Sequence, residues 1–219
     1  MYHKLKKHMK IKDNIMMLWP TPIGIFYNDN HLEIKNDLID FFENYKENNP
    51  RSRKGDENIY LYESNYNIHT LKNPSFEKLM FFFVKSFKKI SDEANKEFQN
   101  NKQNSIINIK DSWFIMYESN GFVAPHIHGN CSWSCVYYVQ CDENNTLKNG
   151  ETYFQKPFVD RLKHDSGSRY LQFETRNFEP KEGILIIWPS HIIHGSLPYT
   201  GEKKRIIVSA NATIQIKKE

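Results

Sequence analysis

The sequence predicts a mainly β protein of the α+β class: a double-stranded β-helix, the jelly-roll or cupin-like barrel, preceded by two packing helices. Two stretches before residue 100 repeat apolar residues with a helical period. Beyond residue 105 that period does not return, and eight short runs of strand composition follow, parted by Gly, Asn, Pro and charged turns. Eight short strands behind two helices suit two sheets that close over one another.

Met16 to Tyr27 (MMLWPTPIGIFY) is apolar and aromatic, but Pro20, Pro22 and Gly24 exclude a helix, so an edge strand is expected. From His31 to about Glu47, the spacing of Ile34, Leu38, Ile39, Phe42 and Tyr45 predicts an amphipathic helix. Asn48 to Asn73 is rich in Asn, Ser and charge and reads as loop with at most one strand. Pro74 opens a second helix whose stripe runs through Phe76, Leu79, Met80, Phe83, Val84, Phe87, Ile90, Ala94 and Phe98. After the polar loop Asn100 to Ser105, strands are expected at Ile106–Tyr117, Phe122–His126, Trp133–Gln140, Thr152–Phe154, Tyr170–Thr175, Gly183–Trp188, Ile193–Leu197 and Arg205–Ile216.

The chain has 219 residues and no internal repeat, which predicts one domain over 1–219: a basic tail at 1–13, a supporting strand and helices at 14–105, and the barrel at 106–216. Aromatic residues make up 14% of the chain, enough large side chains to offset a hydrophobic fraction of only 39%. The net charge of +4 is exceeded by the five lysines between Lys4 and Lys12, so the rest is near neutral and no nucleic-acid partner is expected. Cys131, Cys135 and Cys141 match neither a zinc knuckle nor a disulfide framework. With no apolar run long enough for a membrane span and no secretory leader pattern, a cytoplasmic protein without membrane attachment is expected, its oligomeric state open.

The chemistry concentrates in two segments. Ala124–Asn130 reads APHIHGN, and in a strand residues i and i+2 project to one face, so His126 and His128 can reach one metal ion. Trp188–Pro198 reads WPSHIIHGSLP and offers a third imidazole, His194, with His191 as the competing choice. Three ligands on one face leave coordination positions open. Arg205 follows in the run KKRIIVSANATI. Its guanidinium fork matches a carboxylate and stays charged when buried, so it could grip the far end of a dicarboxylate; Lys203 and Lys204 are the alternatives. His3, His8, His31, His69 and His164 lack such context and read as solvated. Trp133, Tyr138 and Trp188 read as packing residues that could also line a pocket.

These segments resemble known ones. Tyr117 to His128, Y-x-x-x-G-x-x-x-P-H-x-H, is similar to the Y-x-x-G-x-x-x-x-P-H-x-D segment of prolyl 4-hydroxylases, with Gly121 displaced by one and His128 where they carry a carboxylate. GETYF at Gly150–Phe154 is similar to their G-G-E-T-x-F strand. A closer likeness is to a family of phage and bacterial 2-oxoglutarate/Fe(II) oxygenases, through Trp19–Pro22, the H-x-H block followed by Val136–Tyr138, and the P-S-x-x-x-H segment Pro189–His194. It spans Trp19 to Asn211 and is loosest between Asn48 and Ile106.

The resemblance implies an Fe(II)- and 2-oxoglutarate-dependent dioxygenase, using O2 and with ascorbate as a candidate reductant, that hydroxylates an unactivated C–H bond of an amino acid, peptide or small metabolite. It implies His126 and His194 as metal ligands with His128 beside them, Arg205 as the 2-oxoglutarate anchor, and Tyr117 as a hydroxyl donor to the same molecule. Ile207 stands where relatives often carry Ser, and Ser209 is the next residue on that face. A water replaces His128 if its ring does not coordinate. Glu118 and Glu151 are the candidate acceptors for the imidazole N–H groups. Two other classes compete. A cupin-type metal enzyme would want a glutamate where Ser132 and Trp133 stand, and a non-enzymatic jelly-roll would bind no iron.

Overall fold

Alternate residues of WSCVYYVQ at Trp133–Gln140 face opposite layers of the molecule, and for that reason seven of its eight positions are buried. In the computed structural model, residues 21–50, 60–96, 105–142, 149–157, 167 and 174–216 are described. The order is β1 (Gly24–Tyr27), α1 (His31–Asn48), β2 (Leu61–Glu63), a 3-10 turn (Ile68–Thr70), α2 (Pro74–Ala94), β3 (Ser105–Tyr117), β4 (Val123–His126), β5 (Trp133–Gln140), β6 (Thr152–Gln155), β7 (Thr175–Phe178), β8 (Ile184–Pro189), β9 (His194–Ser196) and β10 (Arg205–Ile216).

The strands form two antiparallel sheets, β1-β8-β5-β10-β3-β2 and β4-β9-β6-β7. The helices cover the outer face of the larger sheet, where Ile34, Leu38 and Phe42 of α1 and Phe76, Leu79, Phe83 and Phe87 of α2 pack against Phe114, Met116, Cys135, Tyr137 and Val208. Phe42 stacks on Phe114 with ring centroids 4.4 Å apart. Each such side chain contributes about 1.5–3 kcal/mol by leaving water. The inner face holds the alternate set, Trp113, Ile115, Tyr117, Val136, Tyr138, Trp188 and Ile207, against Phe154 of the smaller sheet. Both faces of the central strands β5 and β8 are therefore covered, and these strands read as near-continuous apolar runs.

The helix limits follow local chemistry. The Asn73 side chain accepts a hydrogen bond from Phe76 N at 2.8 Å, and Pro74 occupies the first turn, where its missing N–H costs nothing. The α2 stripe ends at Ala94, with Asn95 as the cap; Phe98 lies outside the described residues, as do the basic tail and Met16 to Pro20. β1 is an edge strand, as expected from the prolines that precede it in the sequence. The Tyr170–Thr175 expectation falls mostly on undescribed residues, and the strand found there is Thr175–Phe178.

One expectation is overturned. His31 is 2% exposed rather than solvated, and its Nδ1 lies 2.8 Å from Tyr137 Oη, which also accepts a hydrogen bond from Asn28 Nδ2. Burial lowers its pKa and keeps the ring neutral, although Glu182 lies nearby. His69 is half-buried, with Nδ1 3.1 Å from Ser112 Oγ. His3, His8 and His164 lie outside the described residues. Among the described residues no helix is long and apolar enough to cross a membrane.

Candidate metal centre

His126 closes β4 and His194 opens β9, and the two are cross-strand partners with ring centroids 4.3 Å apart. Two residues on, His128 turns back to the same point. Its backbone N–H donates to Ser190 O at 2.9 Å, tying the H-x-H segment to the loop that delivers His194. Glycine is required between His194 and Ser196, because a Cβ at Gly195 would lie 2.7 Å from both Tyr153 Oη and Val123 O.

The three imidazoles can hold a metal ion. His128 Nε2 and His194 Nε2 are 3.2 Å apart, and the ligand atoms of all three histidines lie within 4.8 Å of one another. Two metal–nitrogen bonds of about 2.1 Å at right angles would place their nitrogens about 3 Å apart. Burial, with His126 nearby, lowers the pKa of His194 to about 3 and that of His128 to about 4. Both rings are neutral at physiological pH, with lone pairs available for a metal.

The second nitrogen of two rings is fixed by the backbone. His126 Nδ1 lies 2.8 Å from Ala124 O and His194 Nδ1 lies 2.9 Å from Ile192 O, each a carbonyl two residues back. An Nδ1–H donated there leaves Nε2 as the acceptor facing the cluster. This replaces the expected glutamates: Glu118 forms an ion pair with Lys46 at 3.8 Å, and Glu151 accepts from Asn177 Nδ2 at 2.7 Å. The carbonyls serve because the local strand turn already points them at the rings.

A cavity of about 550 Å3 joins the triad to Arg205, Tyr117 and Ser209. That size falls in the range of about 300–1,000 Å3 typical of small-molecule sites. Arg205 is 0% exposed, and its Nε, Nη1 and Nη2 have no hydrogen-bond partner among the described residues. Its Cζ lies 4.2 Å from the Tyr117 ring centroid and 5.5 Å from that of Tyr138. Gly150 passes over the side chain, where a Cβ would sit 3.2 Å from Arg205 Cδ, and its φ of +62° suits glycine. A buried guanidinium without an acceptor costs several kcal/mol, so this one fits a cavity built to receive a carboxylate. The residues thus fit both a divalent metal and a dicarboxylate.

The rival residues stand elsewhere. His191 is exposed and outside the cluster. Lys203 is exposed and Lys204 pairs with Glu43 at 2.8 Å, and neither lines the cavity. Trp188 lines it, 4.5 Å from the His194 ring, whereas Trp133 packs on the helix side of the sheet. Tyr138 lies beside Arg205 and bonds Thr152 Oγ1 at 2.7 Å. Sequence reasoning missed Glu63, Tyr66, Asp111 and Trp113, which also line the cavity. Asp111, Trp113 and Ile115 share the strand phase of Tyr117, a period-two signal that would have placed them there.

Residues 111–211 match the family described as "Putative 2OG-Fe(II) oxygenase". No curated protein sequence matches the chain. Solved structures share its fold. AviO1 from Streptomyces viridochromogenes is 11% identical with a TM-score of 0.59, over 88% of this chain and 90% of that one. HygX from Streptomyces hygroscopicus, with nickel, 2-oxoglutarate and hygromycin B bound, is 8% identical with a TM-score of 0.54, over 88% and 83%. A Pseudomonas putida prolyl-4-hydroxylase is 11% identical with a TM-score of 0.53, over 87% and 91%. The antiparallel jelly-roll with two helices expected from the sequence is the fold of these structures. The matched segment, a little under half of the chain, carries all three clustered histidines and Arg205, and over that segment the chain resembles 2-oxoglutarate- and Fe(II)-dependent oxygenases.

Proposed function

We propose that His126, His128 and His194 hold the catalytic iron and that Arg205 binds the distal carboxylate of 2-oxoglutarate, with Tyr117 and Ser209 contributing hydroxyl groups. The reaction is hydroxylation of an unactivated C–H bond in an amino acid, peptide or small metabolite. One observation carries the reading: a wholly buried guanidinium, with no hydrogen-bond partner among the described residues, opens into the same cavity as three imidazoles whose ligand atoms lie within 4.8 Å. When bound, Fe(II) and 2-oxoglutarate supply the activation of O2 that inserts one oxygen atom into the substrate, with succinate and carbon dioxide as by-products.

The chain's own residues do the positioning. The carbonyls of Ala124 and Ile192 hold two imidazoles in the tautomer that presents Nε2. Burial keeps His128 and His194 deprotonated for the metal. Tyr117, Trp113 and Trp188 give the cavity an aromatic wall. The free thiols of Cys131, Cys135 and Cys141 support a reducing, cytoplasmic setting.

The test is a turnover screen of the Fe(II)-loaded protein against amino acids, peptides and small metabolites, reading succinate. Succinate formation that requires 2-oxoglutarate and vanishes in His194→Ala is expected. Product formed without 2-oxoglutarate, or no affinity for Fe(II) and 2-oxoglutarate, refutes the reading.

A further inference from the structure

Every polar group of Ser190 grips the segment that carries His128. Its N–H donates to Ser132 O at 3.1 Å, its carbonyl accepts from His128 N at 2.9 Å, and its Oγ lies 3.0 Å from Cys131 Sγ. That segment depends on such a grip, because β4 ends at His126 and β5 begins at Trp133, so residues 127–132 belong to no strand. The other two histidines are placed by the sheet. His126 and His194 are cross-strand partners, and β9 is paired on its other side with β6. Ser190 stands in the corner Pro189–Ile192, which is closed by a bond from Ile192 N to Pro189 O at 3.0 Å. The P-S-x-x-x-H spacing thus serves a second imidazole besides the one that ends it.

The corner is fixed in turn by a row of polar side chains across the inner face of the large sheet. Asp111 of β3, Asn211 of β10 and Ser134 of β5 are cross-strand neighbours. A carboxylate accepts only, so Asn211 turns its Nδ2 to Asp111 Oδ2, at 3.2 Å, and its Oδ1 to Ser134, whose hydroxyl donates at 2.8 Å. Ser134 Oγ lies 3.1 Å from Ser190 Oγ. Ser134 and Ser190 are buried and neither lines the cavity, so they act on a ligand only through other residues. Buried polar groups cost stability unless they are bonded, and the bonds of these run in one line from Asp111 to the His128 segment.

We propose that Ser190 is a positioning residue for His128, and that Ser134 and Asn211 act with it as one row anchored on Asp111, so that the row decides whether the metal is held by three imidazoles or by two and a water. This inference rests on the proposed role of His128 as a ligand. A loosened corner leaves His126 and His194 in place, since strand pairing holds them, and frees the ligand that lies between β4 and β5.

The test is anaerobic Co(II) titration, read by calorimetry and by the visible spectrum, of the parent, Ser190→Ala, Ser134→Ala, His128→Ala and each serine variant combined with His128→Ala. Each serine substitution should weaken Co(II) about tenfold, the scale for groups that orient a ligand, and no more than His128→Ala does. In the His128→Ala background the same substitutions should change affinity by less than about twofold, as general damage would not. The spectrum of each single serine variant should move toward that of His128→Ala, and each double variant should match it. Ser112→Ala is the control, since Ser112 is also wholly buried and its Oγ accepts from His69 N at 2.8 Å on the helix side of β3. It should leave Co(II) affinity unchanged. Parental affinity in either serine variant, an equal factor with and without His128, or an equal loss in Ser112→Ala overturns the proposal. Failure of the ligand reading is seen separately, as a His128→Ala protein that binds Co(II) as the parent does.

Discussion

Replacing Arg205 by Met separates the cost of burying a charge from the benefit of binding with it. The guanidinium is 0% exposed and faces the rings of Tyr117 and Tyr138, with no carboxylate bonded to it among the described residues, so in the unliganded protein it is a desolvated cation without a counter-charge there. An apolar side chain of similar volume relieves that cost, and such replacements are neutral or stabilising by about 1–4 kcal/mol. The unliganded Arg205→Met protein should therefore melt no lower than the parent. Binding should respond in the opposite way. Truncating one partner of a buried charge pair costs about 2–5 kcal/mol, and a loss of about 3 kcal/mol weakens 2-oxoglutarate roughly 150-fold. At a ligand concentration of about 100 Kd the parent gains about 2.7 kcal/mol, a rise of roughly 5–11 °C for a chain of this size. At the same concentration the variant should rise by less than about 1 °C. Thermal melts of Zn(II)-loaded protein with and without 2-oxoglutarate, beside calorimetric titration, measure both effects. An Arg205→Met protein that keeps 2-oxoglutarate affinity within threefold of the parent would refute the anchor role.

Burial lowers the pKa of His128 to about 4 and of His194 to about 3 from an ordinary 6.5, so the unfolded chain binds protons first as pH falls. Their stabilising contribution is full above pH 6.5 and is lost toward pH 4. At pH 5.5 the two together should cost the metal-free protein roughly 1–3 kcal/mol, a drop in Tm that Zn(II) delays; a flat profile from pH 7.5 to 5.5 contradicts this. Phe42→Ala removes a ring stacked 4.4 Å from that of Phe114 and should cost about 3–5 kcal/mol in a denaturant titration, with metal affinity retained. A loss below about 1 kcal/mol would mean that the helix layer does not hold the large sheet. His31→Ala removes one of the two partners of the buried Tyr137 hydroxyl and should cost about 1–3 kcal/mol without altering metal binding; a lost metal site would show that this network reaches the centre.

The sheet order is not contained in any strand's composition, yet most strand limits were legible because both faces of the large sheet's central strands are covered. Trp133–Gln140 and the first eight residues of β10, Arg205 to Ala212, show this best, since a strand covered on both faces has few solvated positions to blur its limits. The H-x-H spacing marked His126 and His128 as a pair, but not by the strand alternation expected: β4 ends at His126, and His128 reaches the same point through the turn that its N–H bond to Ser190 O holds. His31 was misread because its partner, Tyr137, is 106 residues away and nothing near His31 signals burial. The acceptors behind the imidazoles were misassigned to Glu118 and Glu151, since a carbonyl leaves no mark in the sequence. Asp111 went unnoticed although it shares the phase of Tyr117. A lone polar residue in an apolar strand reads as its exposed end until the second sheet is seen to cover that face.

On the proposed assignment, three imidazoles from β4, the segment after it and β9 bind one iron ion. Anaerobic titration with Co(II), followed by its visible spectrum and calibrated against Fe(II), measures this in the parent and in His126→Ala, His128→Ala and His194→Ala. One ion per chain is expected in the parent, with binding abolished by the first and third substitutions and weakened at least about tenfold by the second, on the scale of one lost ligand. One ion bound at parental affinity by the His194→Ala protein would contradict the account.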